Sequence, residues 1–187
     1  MVDIPSVIGV EDGSFTPSRR KIRQECPLCA VQMRYRTIED IRIVSIAVDG
    51  LDATSKLCAM LKDRDFEAAI LGGITFAGFN VVNVEKLSRT VSRPVIVYMR
   101  DKPDNAAVMR ALLQHFSDGV GRWELIESAG PVYESSSQGK RAVYFEVVGA
   151  EPDWADRVLR GCAFLCGSPE PVRVASMVAK ALSIRDH

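Results

Sequence analysis

Two carboxylates, Glu11 and Asp12, directly follow the short apolar stretch Val7 to Val10, which predicts a β-strand. Asp49 and Asp52 follow another predicted strand. Carboxylate oxygens suit Mg²⁺ and Mn²⁺, and a pair of such ions stabilises the attacking and leaving oxygens of a phosphoryl transfer. If these strand ends converge, we expect Glu11, Asp12 and Asp49 to be catalytic. The metal ligands would be Glu11, Asp12 and Asp52, unless the Asp-Gly pairs simply make turns.

A glycine-rich segment, Gly72 to Asn80, follows the fourth predicted strand. Its glycines permit a tight strand-to-helix turn, or they let backbone amides approach a phosphate at the helix start. Thr75 and Asn80 are the candidate nucleic-acid contacts within it. Asn80 equally suits the N-cap of the following helix.

The chain carries 24 basic and 24 acidic residues, so it lacks the long-range field of a strongly basic nucleic-acid binder. A polyanion must therefore be held locally. The run Arg19, Arg20 and Lys21 is one candidate contact, although such runs also form solvated loops. Arg173 is another candidate, and it could instead pair with Glu170.

The five cysteines include two pairs, Cys26 with Cys29 and Cys162 with Cys166. A structural zinc site needs four ligands, and the second pair has helical spacing rather than that of a zinc knuckle. Cys29 also alternates with apolar residues on one face of a strand, as a small buried thiol would. We therefore expect reduced thiols and no zinc. A thiol or zinc enzyme would require all four cysteines to converge.

The elements that must position these residues are predicted by apolar periodicity. Strands are expected at 7–10, 29–36, 41–48, 68–71, 94–99 and 142–148, and helices at 55–64, 80–90, 105–116, 153–164 and 171–183. Three strands followed by alternating helices and parallel strands predict an α/β fold, a mixed sheet with helices on both faces. That layout is shared by RNase H-like nucleases, and ligands in such sheets lie beyond the carboxyl ends of the strands.

We expect one domain over residues 1–187, since 47% of the residues are apolar and the length suits a single core. No apolar run approaches the roughly 20 residues of a membrane-spanning helix, and the N-terminus lacks the pattern of a secretion signal. We therefore expect a cytosolic protein without a membrane partner. The sequence leaves the oligomeric state open.

Four segments resemble the endonuclease dU family, a largely archaeal family similar to endonuclease V. They are Ile8 to Gly13, Asp49 to Thr54, Gly73 to Asn80 and Pro169 to Ala175. The resemblance spans nearly the whole chain and implies an RNase H-like, endonuclease V-like fold. It further implies a metal-dependent endonuclease that uses Mg²⁺ or Mn²⁺ and acts on DNA or RNA with deaminated bases, a DNA repair hydrolase.

The chain departs from the family pattern at four positions. Gly72 and Asn83 stand where aspartates are usual, and Ser176 stands where a histidine is usual. Glu11 replaces an aspartate and reaches about one methylene further. Loss of a central carboxylate should sharply reduce metal affinity, because Mg²⁺ binds neutral oxygen weakly.

Two hypotheses follow from the resemblance and its departures. In the first, the chain is a divergent nuclease with an eroded acidic site, in which a metal-bound water attacks phosphorus. In the second, it is a catalytically inactive nuclease-fold protein that binds nucleic acid or protein.

Overall fold

The computed structural model describes residues 6–15, 24–136, 142–164 and 167–183. The elements in chain order are β1 (Ser6–Asp12), β2 (Glu25–Arg34), β3 (Thr37–Ala47), α1 (Ala53–Leu61), β4 (Ala68–Leu71), β5 (Thr75–Phe76), β6 (Asn80–Val81), α2 (Val84–Val91), β7 (Val95–Met99), α3 (Asn105–His115), α4 (Gly119–Glu127), β8 (Tyr133–Ser135), β9 (Val143–Val148), α5 (Pro152–Cys162) and α6 (Glu170–Ser183). Within these ranges, no helix is long and apolar enough to cross a bilayer.

Seven strands form one mixed sheet in the order β3-β2-β1-β4-β7-β9-β8. The strands β1, β4 and β7 run parallel, and the remaining pairs are antiparallel. Strands β5 and β6 form a separate two-stranded hairpin inside the glycine-rich segment. The mixed sheet predicted from the sequence is thus confirmed. The carboxyl ends of β1, β4 and β7 lie at one edge of it.

The sheet lies between two layers of helices. Helices α1 and α2 cover one face through Leu57 and Leu87, which pack on Val10 and Leu71. Helices α5 and α6 cover the other face, where they bury the opposite side chains of the same strands. Because side chains alternate along a strand, Gly9 and Glu11 face α6, whereas Val10 faces α1.

Helix α6 lies directly on β1 because two glycines leave room for it. A Cβ atom at Gly9 would lie 2.1 Å from the carbonyl carbon of Pro171, and one at Gly13 would lie 2.2 Å from Ser183 Oγ. The first collision is with backbone and cannot be relieved by a rotamer change. The glycines of the Ile8 to Gly13 segment therefore have a packing role.

Several predicted boundaries were wrong. The turn between the second and third strands is at Tyr35 and Arg36, not at residues 37–40, which belong to β3. Helix α2 begins at Val84, because residues 80–81 are extended in β6. Helix α4 and strand β8 were not predicted, because both are short and have weak apolar periodicity.

Candidate functional site

A cleft of about 510 Å³ runs along α6 to the carboxyl ends of β1, β4 and β7. Its lining combines one acid with three cations and three hydroxyl groups. The acid is Glu11, which faces Gly72. The cations are Arg100, Arg173 and Lys180, and the hydroxyls belong to Tyr98, Ser168 and Ser176. Such a lining is suited to an anion.

Glu11 is the carboxylate of the cleft. Burial raises the pKa of Glu11 from 4.5 to about 7, with a further contribution from the charge of Asp12. The amide of Asp12 donates to Glu11 Oε2 at 3.2 Å, and the charge of Lys180 opposes the increase. Glu11 therefore titrates near neutral pH, where its charge alters the field within the cleft.

Gly72 provides the space in which the Glu11 carboxyl group lies. A Cβ atom at residue 72 would be 2.3 Å from Glu11 Oε1 and 2.5 Å from its Cδ. The Gly72 amide also donates to the carbonyl oxygen of Val10 at 2.9 Å, which holds β4 beside β1 at this point. The side chain of Glu11 thus occupies the volume that any larger residue at position 72 would need.

Asp12 lies beside Glu11, with which its carboxyl group shares a hydrogen bond, and it also supports the glycine-rich segment. Its Oδ2 accepts a hydrogen bond from the amide of Ala77, a residue with φ of 45°. Burial raises the pKa of Asp12, whereas the hydrogen bond from Ala77 lowers it. The contact gives Asp12 a structural role.

Asp49 holds the same turn from the other side. Its Oδ1 accepts from the amide of Phe79 at 2.9 Å, and its own amide donates to the carbonyl oxygen of Ala77 at 2.8 Å. A Cβ atom at Gly78, where φ is 86°, would lie 2.3 Å from Asp49 Oδ1. Glycine is therefore required at position 78 by both backbone conformation and space.

Asp52 and Asn80 form a buried polar cluster. Asn80 is fully buried, and its amide nitrogen donates to Asp52 Oδ1 and to the carbonyl oxygen of Ala47. Its Oδ1 accepts from the amide of Ala53 at 3.0 Å. Asn80 was expected to cap a helix or contact nucleic acid. The cap is instead Asn83, whose side chain accepts from the Lys86 amide. Asn80 has no exposed surface with which to contact a ligand.

These donors do not fit a two-metal site. Among the residues that the structure describes, no three or more histidine, cysteine or acidic side chains are grouped so that they could hold a metal ion. Glu11 faces the cleft, while Asp12, Asp49 and Asp52 accept hydrogen bonds from the loops around Ala77 and Asn80. Glu11 and Asp12 share a side-chain hydrogen bond, but the four predicted acids do not form one group of metal ligands. Three of them hold loops.

The cations of the cleft are held to different degrees. Arg173 donates two hydrogen bonds to Glu170, at 2.8 and 2.7 Å, and also lines the cleft, so both roles expected for it are compatible. The Glu170 pKa is lowered by these bonds. Arg100 lies 3.5 Å from Ser168 Oγ, which is 3.2 Å from the hydroxyl of Tyr98. Lys180 is exposed near the C-terminal end of α6.

Of the other predicted nucleic-acid contacts, only Thr75 and Asn80 lie in the part of the chain that the structure describes, and neither lines this cleft. Arg19, Arg20 and Lys21 lie outside the described residues. Thr75 is half-buried in β5, where it pairs with Val81. Their roles remain predictions.

Arg122 is a structural residue that the sequence analysis missed. Its side chain is only 6% exposed, forms an ion pair with Asp118, and donates to the carbonyl oxygens of Gly50 and Phe79. The guanidinium carbon lies 4.4 Å from the centre of the Phe116 ring. Arg122 therefore ties α4 to both loops that carry Asp49 and Asn80. One arginine in a weakly amphipathic segment gave no signal of this role.

The paired thiols of β2 point in opposite directions. Cys26 packs in the core beneath α1 and Cys29 in the core beneath α6. Burial raises the pKa of both thiols to about 11. The expected burial of Cys29 on one face of a strand is confirmed, and the two thiols do not share a site.

Three positions at which the chain departs from the family pattern line one cleft. They are Glu11, Gly72 and Ser176. The fourth, Asn83, caps α2. Three of the four departures from the pattern that the resemblance implies therefore lie in the cleft, beside its cations.

Comparisons with known proteins establish the family. Residues 5–183 match the sequence profile of the family described as Endonuclease dU. A UPF0215 protein of Thermococcus sibiricus is 38% identical over 180 residues, covering 94% of this chain and 91% of the relative. One from Methanothermobacter thermautotrophicus is 32% identical over 185 residues, covering 95% and 87%.

Solved structures establish the fold. A protein of unknown function from Archaeoglobus fulgidus superposes with a TM-score of 0.83 at 28% identity, covering 95% of this chain and 97% of that one. Endonuclease V of Ciona intestinalis, in complex with DNA containing an inosine, gives 0.64 at 11% identity, covering 98% and 87%. Human ENDOV gives 0.59 at 14% identity, covering 98% and 86%. The chain therefore belongs to the endonuclease dU (UPF0215) family and has an endonuclease V-like fold.

Proposed function

We propose that this protein binds nucleic acid through the cleft beside α6 and does not cut it by a two-metal mechanism. The observation that carries the proposal is the composition of the cleft, three cations and three hydroxyls around the carboxylate of Glu11. Phosphate oxygens accept hydrogen bonds from arginine, lysine and hydroxyl groups, which supply most contacts of proteins to nucleic-acid backbones.

The distribution of charge supports a local site. The net charge of the chain is zero, so binding must depend on short-range contacts rather than on the overall field. Arg100 and Lys180 lie on different elements, the end of β7 and the helix α6, and both line the cleft. A phosphodiester lying along α6 would contact both cations.

The placement of the acids argues against cleavage through two metal ions. That chemistry requires several negatively charged ligands around one point. Asp12, Asp49 and Asp52 are each used as acceptors by the loops at residues 47–53 and 77–80. A metal that recruited them would break these contacts.

A second candidate is a metal-dependent endonuclease acting on deaminated bases. It is favoured by the name of the family and by the Ciona intestinalis endonuclease V, whose fold this chain shares and which was solved with inosine-containing DNA. Glu11 and Ser176 at the cleft mark where such a reaction would occur. The substrate would be DNA or RNA that contains uracil or hypoxanthine.

Fluorescence anisotropy with labelled DNA and RNA, single-stranded and duplex, tests the binding proposal. We expect Arg100→Ala and Lys180→Ala each to weaken binding several-fold and to reduce the slope of log K against log salt by about 1. Lys56→Ala is the matched control, since Lys56 is exposed on α1 at the other face of the sheet. Unchanged affinity in both cleft variants contradicts the proposal.

Incubation of the same oligonucleotides, with and without deoxyuridine or deoxyinosine, separates the two candidates. The binding proposal predicts intact strands in Mg²⁺ and in Mn²⁺. Strand cleavage that is lost in Glu11→Gln would establish the endonuclease instead.

A further inference from the structure

We infer an exchange between Glu11 and Gly72, in which the long acid of β1 fills the space that a side chain at residue 72 would need. As a consequence, the cleft takes an anion without a divalent cation. The inference concerns how this chain departs from metal binding. It does not depend on nucleic-acid binding.

The first support is steric. Three atoms of Glu11, its Oε1, Cδ and Cγ, lie 2.3, 2.5 and 2.8 Å from the position of a Cβ atom on Gly72. The Glu11 side chain and any side chain at residue 72 therefore exclude each other in their present positions. Since real Cβ atoms do not approach that closely, one of them must move.

The second support is the way Glu11 is fixed. The strand pairing of Val10 with Leu71 sets β1 beside β4, and the Gly72 amide donates to the Val10 carbonyl oxygen. On its other side the Glu11 carboxyl accepts from the Asp12 amide at 3.2 Å. Its carboxyl group therefore lies over the end of β4 rather than projecting freely into the cleft.

The third support is that no other described acid lines the cleft with Glu11. A divalent ion there would meet Glu11, while the neighbouring Asp12 already accepts from the Ala77 amide. Arg100, Arg173 and Lys180 would repel the ion from the same walls. The same three cations would attract a phosphate in that place. With Glu11 in the space beside Gly72, the lining of the cleft therefore favours an anion over a divalent cation.

A double-mutant cycle tests the steric coupling without any activity assay. We expect Gly72→Ala to lower the melting temperature by about 3 °C in the natural chain. The same change should cost less than about 1 °C when Glu11 is already alanine. Gly121→Ala is the control, because a Cβ atom there meets nothing within 4 Å. Equal losses in the two backgrounds would overturn the inference.

Calorimetric titration with Mn²⁺ alone tests the metal part. We expect Glu11→Asp combined with Gly72→Asp to bind Mn²⁺ at least about tenfold more tightly than either the natural chain or Gly72→Asp alone. The shorter acid frees the volume that Asp at position 72 needs. Recovery of folding in the double variant, where the single variant is unfolded, supports the same exchange. If Gly72→Asp alone binds Mn²⁺ as tightly as the pair, the inference fails.

Discussion

The side-chain amide of Asn80, which is fully buried, donates to Asp52 Oδ1 at 2.7 Å. The same amide group donates to the carbonyl oxygen of Ala47, and its oxygen accepts from the amide of Ala53. Asn80 thereby joins the end of β3 and the start of α1 to β6. A side chain with both donors and an acceptor is needed at this position.

Asn80→Asp should therefore be severely destabilising. The substitution keeps the shape but replaces a donor with a buried carboxylate oxygen that faces Asp52 and the Ala47 carbonyl. We expect a loss of more than about 3 kcal/mol in the free energy of unfolding, measured by denaturant titration. Asn83→Asp is the control and should be nearly neutral, since aspartate caps a helix as well as asparagine does. Similar losses in both variants would contradict this role.

Arg122→Met should loosen both loops beside α4. The variant loses the donors to the Gly50 and Phe79 carbonyl oxygens and the contact with the Phe116 ring, although methionine retains some apolar packing. We expect a destabilisation of about 2–3 kcal/mol and faster amide hydrogen exchange at Phe79. Exchange at residues in β2 should change only with global stability. Unchanged exchange at Phe79 would show that Arg122 does not fix the turn.

Gly9→Ala should prevent α6 from docking on β1. The new methyl group would lie 2.1 and 2.2 Å from the backbone of Pro171 and Val172, so the helix would have to shift. We expect a loss of at least about 3 kcal/mol in unfolding free energy, or failure to fold. Gly161→Ala places a methyl group where nothing lies within 4 Å, and it should be neutral or stabilising. A stable Gly9→Ala protein would contradict the observed contact.

Glu146 should make the protein less stable as the pH rises. Its side chain is 6% exposed, its Oε2 has no hydrogen-bond partner among the described residues, and burial raises its pKa from 4.5 to about 7. Below pH 4.5 the carboxyl is protonated in both states. Between about pH 4.5 and 7 only the unfolded state releases the proton, so stability falls across that window.

Glu146→Leu should remove this contribution of Glu146 to the pH dependence. We expect the variant to gain about 2 kcal/mol relative to the natural protein at pH 8, and less at pH 4.5, because leucine has no buried charge to form. Thermal unfolding at the two pH values measures the difference. A gain that is equal at both pH values would contradict a raised pKa for Glu146.

Much of the fold followed from local pattern. The apolar runs at 68–71 and 94–99 indicated buried parallel strands, and those strands form the centre of the sheet. Helix boundaries at α3 and α6 were predicted within a residue or two, since amphipathic spacing reports the buried face directly. Helix α4 was missed because only Gly119, Arg122 and Ile126 are buried in it, and this set does not form an apolar stripe.

The candidate site was only partly predictable. Glu11 was chosen as a candidate for its position after a strand, and it lines the cleft beside Gly72. Asp49 and Asp52 were chosen for the same reason, their position after a strand, yet they support loops. A carboxylate after a strand serves a ligand or a backbone amide equally well. Only the neighbouring backbone decides between these uses.

The sequence by itself determined the family, through four characteristic segments. It also determined the mixed sheet and the strand end at which Glu11 lies, because apolar alternation and the order of elements along the chain can be read from local segments. The tertiary structure alone decided which polar groups share one cleft. Arg100 is far in the chain from Ser168 and Lys180, and it lines one cleft with them because α6 lies on the sheet beside β1. That contact depends on the absence of a side chain at Gly9. It also decided that Glu11 occupies the space beside Gly72, since a distance of a few ångströms between two strands follows from packing and not from either segment alone.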